Sequence, residues 1–228
     1  MKYFTDDYIS RYIRIIQPKY DGVLGEIQEE ALEEEIPIVP HETARFLSTL
    51  LTIKKPKEIL EIGTAVAFSA GLMSRYLQEG GHVTTIDRYE YMLNIAKKNI
   101  KRMGLEEKIN IIEDDAANVL PKLSGPYDFI FLDAAKAQYI QFLPELLRLM
   151  PIGGILVADD VLQGGNIAKS RFSLPRRQRT IHKRMRNFLW DISHLDCLES
   201  SIIPIGDGIV MCTKIKEYVP TEGEFSDD

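Results

Sequence analysis

The sequence predicts an α/β protein: a seven-stranded, mostly parallel, doubly wound sheet closed by an antiparallel C-terminal hairpin and preceded by an N-terminal helical extension. Three observations carry this. From Lys57 onward, short apolar runs alternate with amphipathic stretches of helical period, the signature of βαβ units. Four of the first five predicted strands end on an acidic residue, as expected where an open parallel sheet gathers a site beyond its carboxyl ends. Near the C-terminus, Gly206-Asp207-Gly208 separates two further apolar runs, a hairpin signal.

In order, the first fifty residues read as helices. Tyr8, Ile9, Tyr12, Ile13 and Ile16 recur at helical spacing, Pro18 interrupts, and a second helix covers about Gly22 to Glu34. The prolines of Ile36-Pro37-Ile38-Val39-Pro40 force extended backbone, and a third helix follows from His41 to Leu51. The predicted strands are 58–62, 82–86, 108–112, 129–132 and 155–158, with helices near 69–78, 90–102, 116–123 and 139–150. A basic helix over about 175–192 leads to the hairpin strands 198–205 and 209–213. The domain reading is a single domain: a helical extension over 1–52, the α/β core over 53–216 and a flexible acidic tail over 217–228.

Length and composition restrict the function. At 228 residues, 45% apolar and 27% charged, the chain suits a single core, and no apolar run approaches the roughly 20 residues that cross a bilayer. A start with neither a basic segment nor an apolar run predicts a cytoplasmic protein without membrane contact. Cys197 and Cys212 lie in apolar segments and read as buried, reduced thiols. The net charge of −6 conceals segregation: residues 161–190 contain no Asp or Glu but eight Lys and Arg, and removing those eight charges leaves −14 on the rest. A basic segment on an acidic body predicts a local anion-binding surface.

At the first strand's tip, Glu61-Ile62-Gly63 permits a sharp turn into a helix carrying Ser69, and Asp87 ends the second strand 24 residues after Gly63. An acid there can accept from ribose hydroxyls, which makes dinucleotide binding the natural rival. The three-glycine turn that admits a pyrophosphate is missing, so a nucleoside cofactor without phosphates fits better. Asp115-Ala116 after the third strand can meet an adenine edge, although Asp114 or Asp115 could instead cap the next helix. Asp133 ends the fourth strand, and Asp159-Asp160 the fifth. If those strands are neighbours, three carboxylates converge and require a cation; hard oxygen donors suit Mg²⁺ or Mn²⁺. Lys136 is the candidate general base, favoured in its neutral form by burial and a nearby divalent ion. His41 and His182 lack a ligand or triad partner and read as surface residues.

Glu61-Ile-Gly63 with Ser69, Asp87, Asp115-Ala116, Asp133 with Lys136, and Asp159-Asp160-Val-Leu resemble, in order and spacing, the cation-dependent catechol and caffeoyl-coenzyme A type O-methyltransferases. The likeness covers nearly the whole chain. It implies a Rossmann-like class I methyltransferase fold, S-adenosylmethionine as cofactor, and frequently a homodimer. Within that family, Ile36-Pro-Ile-Val39, Leu132-Asp-Ala-Ala-Lys-Ala-Gln-Tyr139, Pro175-Arg-Arg-Gln-Arg179 and Ile203-Pro-Ile-Gly-Asp-Gly208 are similar to bacterial tRNA 5-hydroxyuridine methyltransferases. By resemblance, Val39, Glu61, Gly63, Ser69, Asp87, Asp115, Ala116 and Asp133 contact the cofactor. Asp133, Asp159 and Asp160 hold the metal, Lys136 and Asp133 serve catalysis, and Arg176, Arg177, Arg179 and Lys183 meet a tRNA anticodon region. A small catechol or a coenzyme A ester of a phenol is the competing substrate, and a non-catalytic cofactor- or RNA-binding protein the reading of another class. Two departures stand out: Ala67 where glycine is usual, and Asp160 where asparagine is usual.

Overall fold

A computed structural model describes residues 7–219. Most of the tail predicted over 217–228, and the first six residues, lie outside the described residues. Seven strands form one sheet in the order β3-β2-β1-β4-β5-β7-β6; β1, β2 and β3 pair parallel, as do β4 and β5, and β7 runs antiparallel to both β5 and β6. The chain divides into two compact units that part between Val119 and Leu120.

The first unit holds α1 (Asp7–Ile16), α2 (Gly22–Glu33) and α3 (His41–Lys54), then β1 (Glu58–Ile62), α4 (Phe68–Ser74), β2 (His82–Asp87), α5 (Glu90–Met103), β3 (Ile109–Glu113) and α6 (Ala116–Val119). In β1, Ile59, Leu60, Glu61 and Ile62 are all buried, as expected for a parallel strand covered on both faces. Helix α4 stops at Ser74 rather than near Gln78, because Arg75 and Tyr76 donate to Leu72 and Met73 in the tighter i−3 pattern. Helix α6 is a single turn followed by a 3₁₀ turn over Leu120–Lys122, since Pro121 has no N–H with which to continue the helix predicted to 123.

The second unit holds β4 (Phe129–Leu132), α7 (Tyr139–Leu149), β5 (Ile155–Ala158), α8 (Arg179–His194), β6 (Leu198–Ile203) and β7 (Ile209–Lys214). Strand β4 is apolar and wholly buried, and it pairs in register with β5 from Phe129↔Ile155 to Leu132↔Ala158. The basic helix expected from Pro175 begins only at Arg179. Pro175 opens a 3₁₀ turn over Arg176–Gln178, in which Gln178 N–H donates to Pro175, so Arg176 and Arg177 stand on that turn and not on α8. Helix α8 turns an apolar face inward: Met185, Phe188, Leu189 and Ile192 are buried and Ile181 is half-buried. Cys197 and Cys212 are buried free thiols, as expected. No helix among the described residues is long and apolar enough to cross a membrane.

Lys214, one residue beyond the predicted end of β7, is 3% exposed. Its ammonium donates to the carbonyls of Leu147 at 3.1 Å and Met150 at 2.9 Å, and to Glu217 Oε2 at 2.8 Å. It therefore satisfies carbonyls at the C-terminus of α7 that have no helical partner, where the helix dipole also favours a cation. Lys214→Ala is expected to lower unfolding free energy by about 2 kcal/mol in denaturant titration, the typical penalty for orphaning buried polar groups.

Candidate active site

Three acidic residues and one lysine gather at the carboxyl ends of β4 and β5. Lys136, on a 3₁₀ turn that leads into α7, places Nζ 2.6 Å from Asp133 Oδ1 and 3.1 Å from Asp160 Oδ2. Asp159, 2% exposed, accepts from the backbone N–H of Asp160 at 2.7 Å. Burial first, and then the charges of Asp133 and Asp160, push the Asp159 carboxyl well above the usual carboxylate range. For Lys136, burial pulls the ammonium down, but its surroundings, Tyr139, Asp133 and Asp160 foremost, outweigh burial and hold it well above the ordinary lysine range. With only protein charges around it, Lys136 is a counter-ion.

Among the described residues no three His, Cys, Asp or Glu side chains are arranged to hold one metal ion, and the Lys136 ammonium contacts both Asp133 and Asp160. The donor chemistry nevertheless suits a hard divalent cation. Asp133 and Asp160 share a single ammonium with Asp159 beside them, all the donors are oxygens, and burial together with the charges of Asp133 and Asp160 disfavours the ionised form of Asp159.

Tyr139, fully buried and edge-on to Phe188 at 5.4 Å, braces this cluster from beneath. Its hydroxyl lies 3.1 Å from the carbonyls of both Leu132 and Asp159, donating to one at a time, and accepts from Lys136 Nζ at 3.1 Å and Ala134 N–H at 3.3 Å. It thus ties the last residue of β4 to the residue after β5. The hairpin turn supports the other side: Val161 and Leu162 donate to Gly208 and Asp207, and the Asp207 carboxylate receives the Gly164 N–H. Gly208 has φ +85°, and a Cβ there would fall 2.4 Å from Leu162 Cγ. Asp160 has φ +56°, a left-handed backbone that Asp and Asn tolerate better than most residues. Neither the brace nor the turn contact was read from sequence.

In the first unit, Gly63 (φ +108°) begins the turn after β1, and its N–H donates to Ile86. Asp87 Oδ2 accepts from Ala65 N–H at 3.0 Å, while Oδ1 accepts from the N–H groups of Arg88 and Tyr89 at 2.7 and 3.0 Å. The carboxylate thus pins the β1–α4 turn to the end of β2, with one lone pair of Oδ2 left for a ligand hydroxyl. Glu61 is fully buried and accepts from Thr85 Oγ1 at 2.5 Å, and Thr85 in turn meets Thr64 at 2.7 Å. Asn99, which sequence reading passed over, donates to the Val66 carbonyl at 3.0 Å and holds the same turn from α5. Asp115 caps α6 through Ala117 N–H at 2.9 Å and also pairs with Arg88, another residue passed over. Ala116 opens α6, Ser69 is buried in the first turn of α4, and Val39 is buried just before α3.

Ala67 sits at φ +63°, fully buried, as the cap of α4. An L-residue there carries a strain of about 1–2 kcal/mol that glycine relieves, against a smaller entropic loss. Ala67→Gly is therefore expected to leave stability unchanged or raise it by up to about 1 kcal/mol, read as a higher Tm.

The two histidines diverge from expectation. His182 is 4% exposed, because the loop before α8 covers it, and its Nε2 lies 3.0 Å from the Lys169 carbonyl. His41 is partly buried with its ring 5.8 Å from that of Tyr20, and burial, then the Arg45 charge, lowers its pKa.

The sequence profile of the O-methyltransferase family matches residues 19–215. The chain belongs to the O-methyltransferase family. Among relatives of this methyltransferase, the caffeoyl-CoA O-methyltransferase of Populus kitakamiensis is 33% identical over 183 residues, 78% of each chain. Tapetum-specific methyltransferase 1 of Arabidopsis thaliana is 30% identical over 206 residues, 87% of this chain and 88% of the relative. A solved structure from Staphylococcus aureus superposes with TM-score 0.84 at 28% identity, over 91% of this chain and 100% of that one. The O-methyltransferase of Bacillus cereus, solved in complex with SAH, shares the fold with TM-score 0.80 at 24% identity over 91% and 97%. The resemblance read from the spaced acidic motifs and the expected Rossmann-like sheet are both borne out.

Proposed function

We propose that this methyltransferase transfers the methyl group of S-adenosylmethionine to 5-hydroxyuridine at the wobble position of tRNA, giving 5-methoxyuridine, with Mg²⁺ or Mn²⁺ as a required ion. The observation that carries methyl transfer to an oxygen is the carboxylate cluster built around Lys136 at the ends of β4 and β5, in a chain matched to the family along most of its length. Val39, Glu61, Gly63, Ser69, Asp87, Asp115, Ala116 and Asp133 hold the cofactor. Asp87 offers its remaining lone pair to a ribose hydroxyl, and Asp115 keeps its capping bond while its neighbour Ala116 meets the adenine.

Asp133, Asp159 and Asp160 would hold the divalent ion, whose charge makes an acceptor hydroxyl easier to deprotonate. Asp160 in place of asparagine adds a negative charge, strengthening ion binding at some cost to that polarising effect. Once Asp133 and Asp160 are neutralised, Lys136 loses two of the groups that raise it, keeps the burial that lowers it and stands beside a divalent charge, so Nζ can take the acceptor's proton. S-adenosylmethionine, when bound, would supply an electrophilic methyl to the deprotonated acceptor oxygen and be released as a neutral thioether, so no enzyme-bound intermediate is required. The chain's main contribution is orientation.

RNA is favoured over a small phenol by the acid-free segment 161–190, with Arg176 and Arg177 on its 3₁₀ turn and Arg179 and Lys183 on α8. Its positive charge would meet phosphates, and an RNA substrate sets the enzyme in the cytoplasm. Helix α1 exposes Tyr8, Tyr12, Ile15 and Ile16, a face that suits the pairing of two copies into a homodimer, which light scattering of the purified chain tests. The substrate test is transfer of labelled methyl to tRNA lacking 5-methoxyuridine, in the presence of Mg²⁺, with catechol and caffeoyl-coenzyme A as competing acceptors. Label in tRNA alone supports this reading. Label only in a phenol shifts the assignment to small-molecule methylation, and label in none leaves a non-catalytic binder.

A further inference from the structure

The loop before α8 and the first turns of that helix border an open pocket of about 290 Å³ lined by Ser170, Arg171, His182, Lys183, Arg186 and Asn187. Three of the six residues are cationic, and residues 161–190 contain no acid. The walls are held by the backbone: His182, buried, has Nε2 3.0 Å from the Lys169 carbonyl, and Arg186 donates to the Ile167 carbonyl at 3.5 Å. This cavity lies outside the carboxylate cluster's own contacts and has no part in the chemistry assigned to it.

Two exposed aromatic side chains flank the cavity in the chain. Phe172, 79% exposed, follows Arg171 and has the guanidinium carbons of Arg171 and Arg179 each 5.9 Å from its ring centre. Trp190, 64% exposed, lies one helical turn beyond Arg186 on the same face of α8, a rise of about 6 Å and so on the scale of one nucleotide. Its indole stacks on the His194 ring at 3.9 Å and 15°, which fixes the indole plane while leaving it reachable from solvent. An apolar core has no use for such residues, and a solvated charged face does not need them. Cations interleaved with exposed rings are what a strand of phosphates and bases requires.

We propose that this cavity and its flanking rings form a binding site for single-stranded ribonucleotide, with a phosphate held by Arg171, Lys183 and Arg186 and an adjoining base stacked on Trp190. The site deepens the RNA reading given above, as a second hold on the strand distinct from the methyl acceptor. Coenzyme A also carries phosphate beside a base, but one such unit does not use cations spread from Lys169 to Arg186 and rings at both ends, so a strand is the better match.

Trp190 is the only tryptophan in the chain, which makes its fluorescence a direct reporter. Titration with decauridylate should quench it saturably. The affinity should fall with salt at a log–log slope of about −2, as expected for about three phosphate contacts on a single strand. Arg171→Gln with Arg186→Gln should weaken binding at least about tenfold. Trp190→Ala, followed through the anisotropy of a labelled decauridylate, should do the same; it truncates an exposed side chain and leaves the Arg186 bond to the Ile167 carbonyl intact. Absence of quenching, quenching indifferent to salt and to the arginine changes, or equally tight binding of adenosine 3′,5′-bisphosphate overturns the site. Methyl transfer to tRNA without quenching removes this inference alone, whereas quenching without methyl transfer leaves the site standing and removes the wobble-uridine assignment.

Discussion

Lys136→Met is expected to reduce methyl transfer about 10³-fold at saturating cofactor and Mg²⁺, with the affinity for S-adenosylmethionine measured by calorimetry unchanged. Methionine preserves the length and much of the packing of a side chain that is half-buried against Tyr139, but it can neither accept a proton nor answer the charges of Asp133 and Asp160. Those two losses are separable. Lys136→Arg keeps a permanent positive charge near both carboxylates and cannot give up its proton at any working pH. If Lys136 is a base, arginine is nearly as damaging as methionine. Activity within tenfold of the wild type in Lys136→Arg would assign it the role of counter-ion alone.

The second large effect concerns Asp159. Asp159→Asn is nearly isosteric and retains an oxygen to accept the Asp160 N–H, so the turn after β5 should survive. What disappears is the most deeply buried charge of a like-signed cluster. Divalent-ion affinity should fall by at least about 100-fold and methyl transfer with it. At the same time the ion-free protein should gain stability on the order of 1 kcal/mol, because the native fold no longer keeps a repelled carboxyl out of water. Lost activity accompanied by a raised Tm is the sign of a residue kept for chemistry at the expense of folding; a lowered Tm would mean that the carboxylate is structural.

The strands were legible where composition changed sharply. β4 and β5 fall at the predicted residues because each is a short apolar run bounded by charge or glycine, and β1 does so because its apolar residues run up to Gly63. Helix ends were less legible where the deciding interaction was local but subtle: Pro121 ended α6 early, and Pro175 delayed α8 by opening a 3₁₀ turn. The approach of Asp133, Asp159 and Asp160 to a common rim could be foreseen because it needs only that β4 and β5 be neighbours, as they are. The supports of that rim could not. Tyr139 acts through one hydroxyl set between two strand ends, Lys214 through carbonyls more than sixty residues away, and Asn99 through a turn 33 residues back; none of these pairings leaves a periodicity or a spacing to read. His182 was misplaced for the same reason, since the loop that buries it is joined to it only in space.

Metal-assisted methyl transfer at this site requires the carboxylates around Lys136 to exchange an ammonium for a divalent ion. Titration of Mn²⁺ into the purified chain, followed by electron paramagnetic resonance, reads that exchange without any assay of turnover. One Mn²⁺ bound per chain, displaced by Mg²⁺ and lost in Asp159→Asn, is the predicted result. Stoichiometric binding that persists in Asp159→Asn, or no binding in the wild type, would contradict it.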